Sequence, residues 1–136
     1  MEVLEVRHKA VSEALEQLEK ALGIFEENKY PDMYDIVRDS SIQRFEFSFD
    51  AFWKYLKEYL SDHRKVQVEF PSPNKTFRTC YEQKLITNDE RKILIDSTKD
   101  RNLTSHTYNE ILAEQVSERI VEYYKVMRAV VDRLGG

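Results

Sequence analysis

Leu4, Val11, Leu15, Leu18, Leu22 and Phe25 recur at steps of three, four and seven. That spacing gathers them on one helical face and predicts a first amphipathic helix over residues 2–28. Asn28-Lys29-Tyr30-Pro31-Asp32 interrupts it, because proline lacks the N–H that a helix interior needs. A second stripe, Ile42, Phe45, Phe49, Phe52, Leu56 and Tyr59, predicts a helix over residues 33–62. Trp53 and Tyr55 lie beside that stripe, so its centre is unusually aromatic. Most of these rings belong in a core. Those beyond one stripe predict a second buried face, hence a partner or a dimer. Residues 66–70 are apolar and β-prone but short and isolated, and read as linker. Ser72-Pro73 supplies an N-cap and a first-position proline for a short helix to about residue 84. Asn88-Asp89-Glu90 caps a fourth helix carrying Ile93, Leu94 and Ile95 towards Arg101. The last helix, about residues 108–134, packs through Leu112, Val116, Ile120, Tyr123, Met127 and Val130. The expected architecture is all-α, an antiparallel up-and-down bundle of about five helices. With no internal repeat, residues 1–136 read as a single domain.

Composition agrees with this picture and narrows the chemistry. A chain of 136 residues buries a proper core without staples, and 34% charged residues with only three Gly and three Pro suit a helical soluble protein. Cys80, the one cysteine, forms no internal disulfide, and three histidines are too few to build a metal site around it. Neither a metal nor a cofactor is expected, and a reducing cytoplasm is. No apolar run approaches membrane-spanning length, and the acidic amphipathic start does not read as a signal peptide. A formal charge of −4 argues against broad coating of nucleic acid, but leaves room for one local phosphate pocket.

The candidate chemistry lies in Asp100-Arg101-Asn102-Leu103-Thr104-Ser105-His106-Thr107-Tyr108-Asn109-Glu110. Arginine offers a rigid fork of donors for phosphate, histidine titrates near neutral pH, and tyrosine adds a phenol. On an unbroken helix, positions five apart point about 140° away from each other. Arg101 and His106 therefore converge only if the helix breaks between them. Thr107 through Glu110 reads as a capping box before the apolar Ile111-Leu112. This places His106 in a connection and Tyr108 in the first turn of the next helix, where free N–H groups favour an anion. By spacing alone, a solvated arginine and a cap-region histidine fit equally well. Tyr123-Tyr124 reads as packing, and His63 as a linker histidine.

Gln43-Arg44-Phe45-Glu46-Phe47-Ser48-Phe49, followed by Trp53-Lys54 and Leu56, resembles the long second helix of the nucleotidyltransferase substrate-binding family. Ser72-Pro73 through Phe77-Arg78, Leu85-Ile86, and above all residues 100–108 resemble that family's later blocks. The likeness runs from about Leu4 to Tyr124. The family belongs to the all-α HEPN superfamily, whose signature is Arg, four residues, then His, extended in some members by a tyrosine two residues on. Arg101, His106 and Tyr108 fill those places. Residues 62–72 do not follow the family pattern closely.

The resemblance implies a HEPN-like dimer acting as a metal-independent endoribonuclease, the toxin half of a pair with a minimal nucleotidyltransferase encoded nearby. His106 would be general acid or base, Arg101 would bind the phosphate, and Asp100 and Asn102 would orient them. Tyr108 resembles the tyrosine that the partner modifies with AMP, which would block RNA and neutralise the toxin. The alternative is a non-catalytic subunit that holds substrate for a two-chain nucleotidyltransferase. The chain itself lacks the Gly-Ser and spaced aspartates of such a transferase. A structural dimerisation module is a third reading. Any RNA affinity must come from the surroundings of Lys99, Arg101 and His106, with a shallow salt dependence.

Overall fold

The computed structural model describes residues 2–106 and 108–135. Helix α1 spans Val3–Glu27, and a short 3-10 turn, Pro31–Met33, leads into the long α2, Tyr34–Arg64. Helices α3 (Pro73–Glu82), α4 (Asn88–His106) and α5 (Glu110–Gly135) follow. There are no strands among the described residues, and residues 65–72 form the linker. The all-α bundle and the five-helix order match the apolar periodicity.

Helix α2 is the centre of the bundle, packing against α1, α3, α4 and α5. That position accounts for most of its aromatic residues. Phe45, Phe49, Phe52 and Tyr55 are all buried, and Trp53 and Tyr59 pack on the core's edge. Phe45 tilts against Tyr123 of α5 at 5.5 Å, and Phe49 meets Phe77 of α3 edge-on at 6.0 Å. The rings beyond one stripe are thus largely taken up by the chain's own helices, while Phe47 remains exposed.

Several helix ends show their chemistry. Asn28 closes α1 in the left-handed region at φ 49°, which asparagine tolerates well. The Ser72 hydroxyl accepts from the Lys75 N–H, as its sequence position predicts. The start of α4 differs from expectation by one residue. Thr87 is the capping group: its Oγ1 accepts from the Glu90 N–H at 3.1 Å, and Glu90 accepts from the Thr87 N–H at 2.9 Å. Glu90 also holds Arg133, whose Nη2 lies 2.8 Å from its Oε1, so the end of α5 is tied to the start of α4. Cys80 is buried in α3, and that burial pushes its thiol up to about 12.

Candidate functional site at the α4–α5 junction

The N-terminal half of α2, the last turns of α4 and the start of α5 meet at one end of the bundle. Helix α4 continues without interruption through His106, so the expected break between Arg101 and His106 does not occur. Thr107, the expected cap, lies outside the described residues. Asn109 caps α5 instead, its Oδ1 accepting from the N–H groups of Ile111 at 2.8 Å and Leu112 at 3.1 Å. Glu110 becomes the first helical residue, and Tyr108 sits in the connection before the helix, not in its first turn.

Because α4 is continuous, its successive candidates face different ways. Arg101 turns towards α2 and is only 23% exposed. It donates from Nη1 to Glu46 at 3.0 Å, and from Nη2 and Nε to Asp50 at 2.9 and 3.4 Å. The Asp50 bonds, with Glu46, raise its pKa further and hold it as a fixed cation. Glu46 also accepts from the hydroxyls of Thr104 and Ser105 at 3.0 and 3.2 Å. Asp100, about 100° round the helix, is buried against α5. It accepts a bidentate pair from Arg119 at 2.8 and 2.9 Å and a bond from the Tyr123 hydroxyl at 2.6 Å. Burial and the bond to Asp100 push the Tyr123 phenol well above its usual range. Asp100 thus fixes the rotation of α4 rather than touching Arg101's ligand side.

His106 and Asn102 point away from Arg101. They line an open cleft of about 480 Å³ with Lys99, Leu103, Thr98 and Asn74. The Oδ1 of Asn74 is buried there and has no hydrogen-bond partner among the described residues. A single chain therefore groups His106 with Asn102, and leaves Arg101 on another face.

Tyr108 is 70% exposed. Its hydroxyl donates to Asp39 Oδ2 at 3.0 Å and accepts from Arg38 Nη2 at 3.5 Å. The bond to Asp39 raises the phenol's pKa. Arg38 is buried in α2 and also pairs with Asp39 at 3.2 Å, Glu114 at 3.3 Å and Asp35 at 3.5 Å. Burial pulls its pKa down, and the bonds to Asp39 and Glu114 outweigh that. Tyr34 donates to the other oxygen of Glu114. None of Arg38, Asp39, Glu46, Asp50, Asn74 or Glu114 stood out in the sequence as a site residue. One signal was present: Arg38 is in register with the stripe through Ile42, Phe45 and Phe49, where a charge is out of place. Among the described residues no group of three or more His, Cys, Asp and Glu is placed to hold a metal ion. None of the described helices is long and apolar enough to cross a membrane.

Comparison with known proteins adds to this geometry. The family described as nucleotidyltransferase substrate binding protein like matches residues 6–135. A Thermus thermophilus protein of known crystal structure is 37% identical, covering 86% of this chain and 98% of its own, with a TM-score of 0.71. A mutant of the toxin–antitoxin pair MntA–HpeT shares the fold at 13% identity and a TM-score of 0.72, covering 95% of this chain and 94% of that one. So does a tri-AMPylated HEPN toxin of Shewanella oneidensis in complex with its MNT antitoxin. It is 14% identical, with a TM-score of 0.63, covering 95% and 99% of the two chains. A search of curated proteins gives no match.

Proposed function

Taking as premise that the chain belongs to the nucleotidyltransferase substrate-binding protein-like family, we propose that it is the HEPN-type partner of a minimal nucleotidyltransferase. In that pair it acts as a metal-independent endoribonuclease toxin, neutralised by adenylylation of Tyr108. The fold shared with two toxin–antitoxin complexes supports the partnership.

The observation that carries the ribonuclease reading is the cleft beside His106. It joins a proton-transfer group, the cation of Lys99 and the amide of Asn102. In the reaction the 2′-OH attacks the adjacent phosphorus and the 5′ oxygen leaves, giving a 2′,3′-cyclic phosphate and a 5′-OH. His106 takes or returns the proton. Arg101 stabilises the phosphate's developing charge.

One chain holds Arg101 and His106 on different faces, so a second copy meeting this one through α4 supplies the missing half of the site. Arg101 must then exchange Glu46 and Asp50 for phosphate, a trade of like for like in charge-assisted bonds. The same carboxylates favour a second reading. With its guanidinium already paired, Arg101 serves structure, and the chain is a non-catalytic subunit that holds substrate for the nucleotidyltransferase.

The two readings separate in one experiment. The protein is expressed without the neighbouring nucleotidyltransferase, as wild type and as His106→Ala. Growth arrest by wild type alone, with RNA ending in cyclic phosphate, is the expected result. Absence of arrest and cleavage by unmodified wild type favours the holding subunit. Equal arrest by both variants removes His106 from the chemistry.

A further inference from the structure

Tyr108 is the acceptor in the proposed function, and a role for its neighbours rests on that reading. An exposed phenol ordinarily ends in water. This one is held between a carboxylate and a guanidinium from a helix about 70 residues earlier in the chain. We infer that Asp39 is the general base that activates Tyr108 for adenylyl transfer, with Arg38 stabilising the oxygen as its proton leaves. Asp39 Oδ2 already accepts the phenol's hydrogen at 3.0 Å, within the reach a general base needs. Arg38 Nη2 stands 3.5 Å from the same oxygen. A cleft of about 540 Å³ opens beside the ring, bordered by Ile36, Ser40 and Gln43, and leaves the nucleophile approachable.

The step balances without any group from this chain being consumed. The partner nucleotidyltransferase presents a magnesium-bound nucleoside triphosphate. The phenol oxygen bonds to its α-phosphorus, the bond from that phosphorus to the bridging oxygen breaks, and pyrophosphate leaves. The phenol proton passes to Asp39. The product is a tyrosyl phosphodiester, and Asp39 returns its proton to water. Arg38 then lies next to the new phosphodiester's negative charge.

The surroundings explain why a base is needed. Asp35 and Glu46 of α2 and Glu110 and Glu114 of α5 face this corner, Asp35 and Glu114 paired with the buried Arg38 and Glu46 with Arg101. The bond to Asp39, with the charges of Asp39 and Glu110, disfavours a free phenolate. Phenol attack with concerted proton transfer avoids forming one. The site was not legible in the sequence because Asp39 and Tyr108 come from different helical neighbourhoods.

The test uses the complex with the nucleotidyltransferase and magnesium ATP, following adducts on Tyr108 by intact mass, with Tyr108→Phe as blank. At neutral pH, Asp39→Asn is expected to slow transfer by about 10². The wild-type rate is expected to be flat through neutral pH. That of Asp39→Asn should climb about tenfold per pH unit towards the phenol's own ionisation and approach wild type. Asp39→Ala should regain rate on addition of formate, saturably. A variant that matches wild type in rate and profile overturns the assignment while leaving Tyr108 as acceptor. A loss parallel at every pH, with no formate rescue, also overturns it and makes Asp39 structural. A wild type that gains no adduct overturns the reading beneath it as well.

Discussion

Replacing Asp100 by leucine roughly keeps its shape and removes both acceptor oxygens that Arg119 and Tyr123 share. Arg119 is 46% exposed along its side chain and can turn to water, so its two bonds to Asp100 contribute modestly. Tyr123 is 2% exposed and cannot. A buried hydrogen bond to a charged acceptor is worth about 1.5–3 kcal/mol, and leaving the hydroxyl unpaired costs a similar amount. The expected loss for Asp100→Leu is therefore about 2–3 kcal/mol, most of it through Tyr123. In a domain of this size that lowers Tm by roughly 7–10 °C. Tyr123→Phe should cost only about 1 kcal/mol, because Asp100 keeps Arg119. Urea unfolding of both single variants and the double variant gives the coupling, expected at about 1–2 kcal/mol. A loss below about 0.5 kcal/mol for Asp100→Leu, with no coupling to Tyr123, would refute Asp100 as the lock between α4 and α5.

Two further outcomes concern groups outside the site. Burial would raise the Glu90 carboxyl, but the bonds from Arg133 and the Thr87 N–H outweigh it and hold its pKa below the ordinary value. The stabilisation is then present above the unfolded value near 4.3 and lost as pH falls through the lower folded one. Glu90→Gln should flatten the fall of the urea midpoint below about pH 4.5, and an unchanged slope would show the Arg133 tie to be idle. Cys80, with its thiol pushed up to about 12 by burial, should react with iodoacetamide at pH 8 far more slowly when folded than in urea. Equal rates would mean that α3 opens readily.

Local rules carried the sequence reading a long way. Apolar stripes placed α1, α2 and α5 within a few residues, because a helix is made of bonds four residues apart and one face must be buried, and Ser72-Pro73 and Asn88-Asp89-Glu90 marked where α3 and α4 begin. Ser72 capped α3 as expected. Caps at the other ends were harder to assign, since Thr87 and Asn88, or Thr107 and Asn109, compete on equal chemical terms. In the structure Thr87 caps α4, and Asn109 accepts from the first turn of α5.

By itself the sequence determined that this chain is a helical bundle of the nucleotidyltransferase substrate-binding family, and that Arg101, His106 and Tyr108 lie close together along it. Tertiary structure decided what each of them faces. With α4 unbroken, a 100° step per residue sends Asp100 to α5, Arg101 to α2, and His106 to an open cleft. The azimuth of a helix is set by how its ridges seat on its neighbours, a property of the assembled core and not of any local window. The same packing brings Arg38 and Asp39 to Tyr108, because partners on separate helices meet only when burial of the apolar faces has fixed their register.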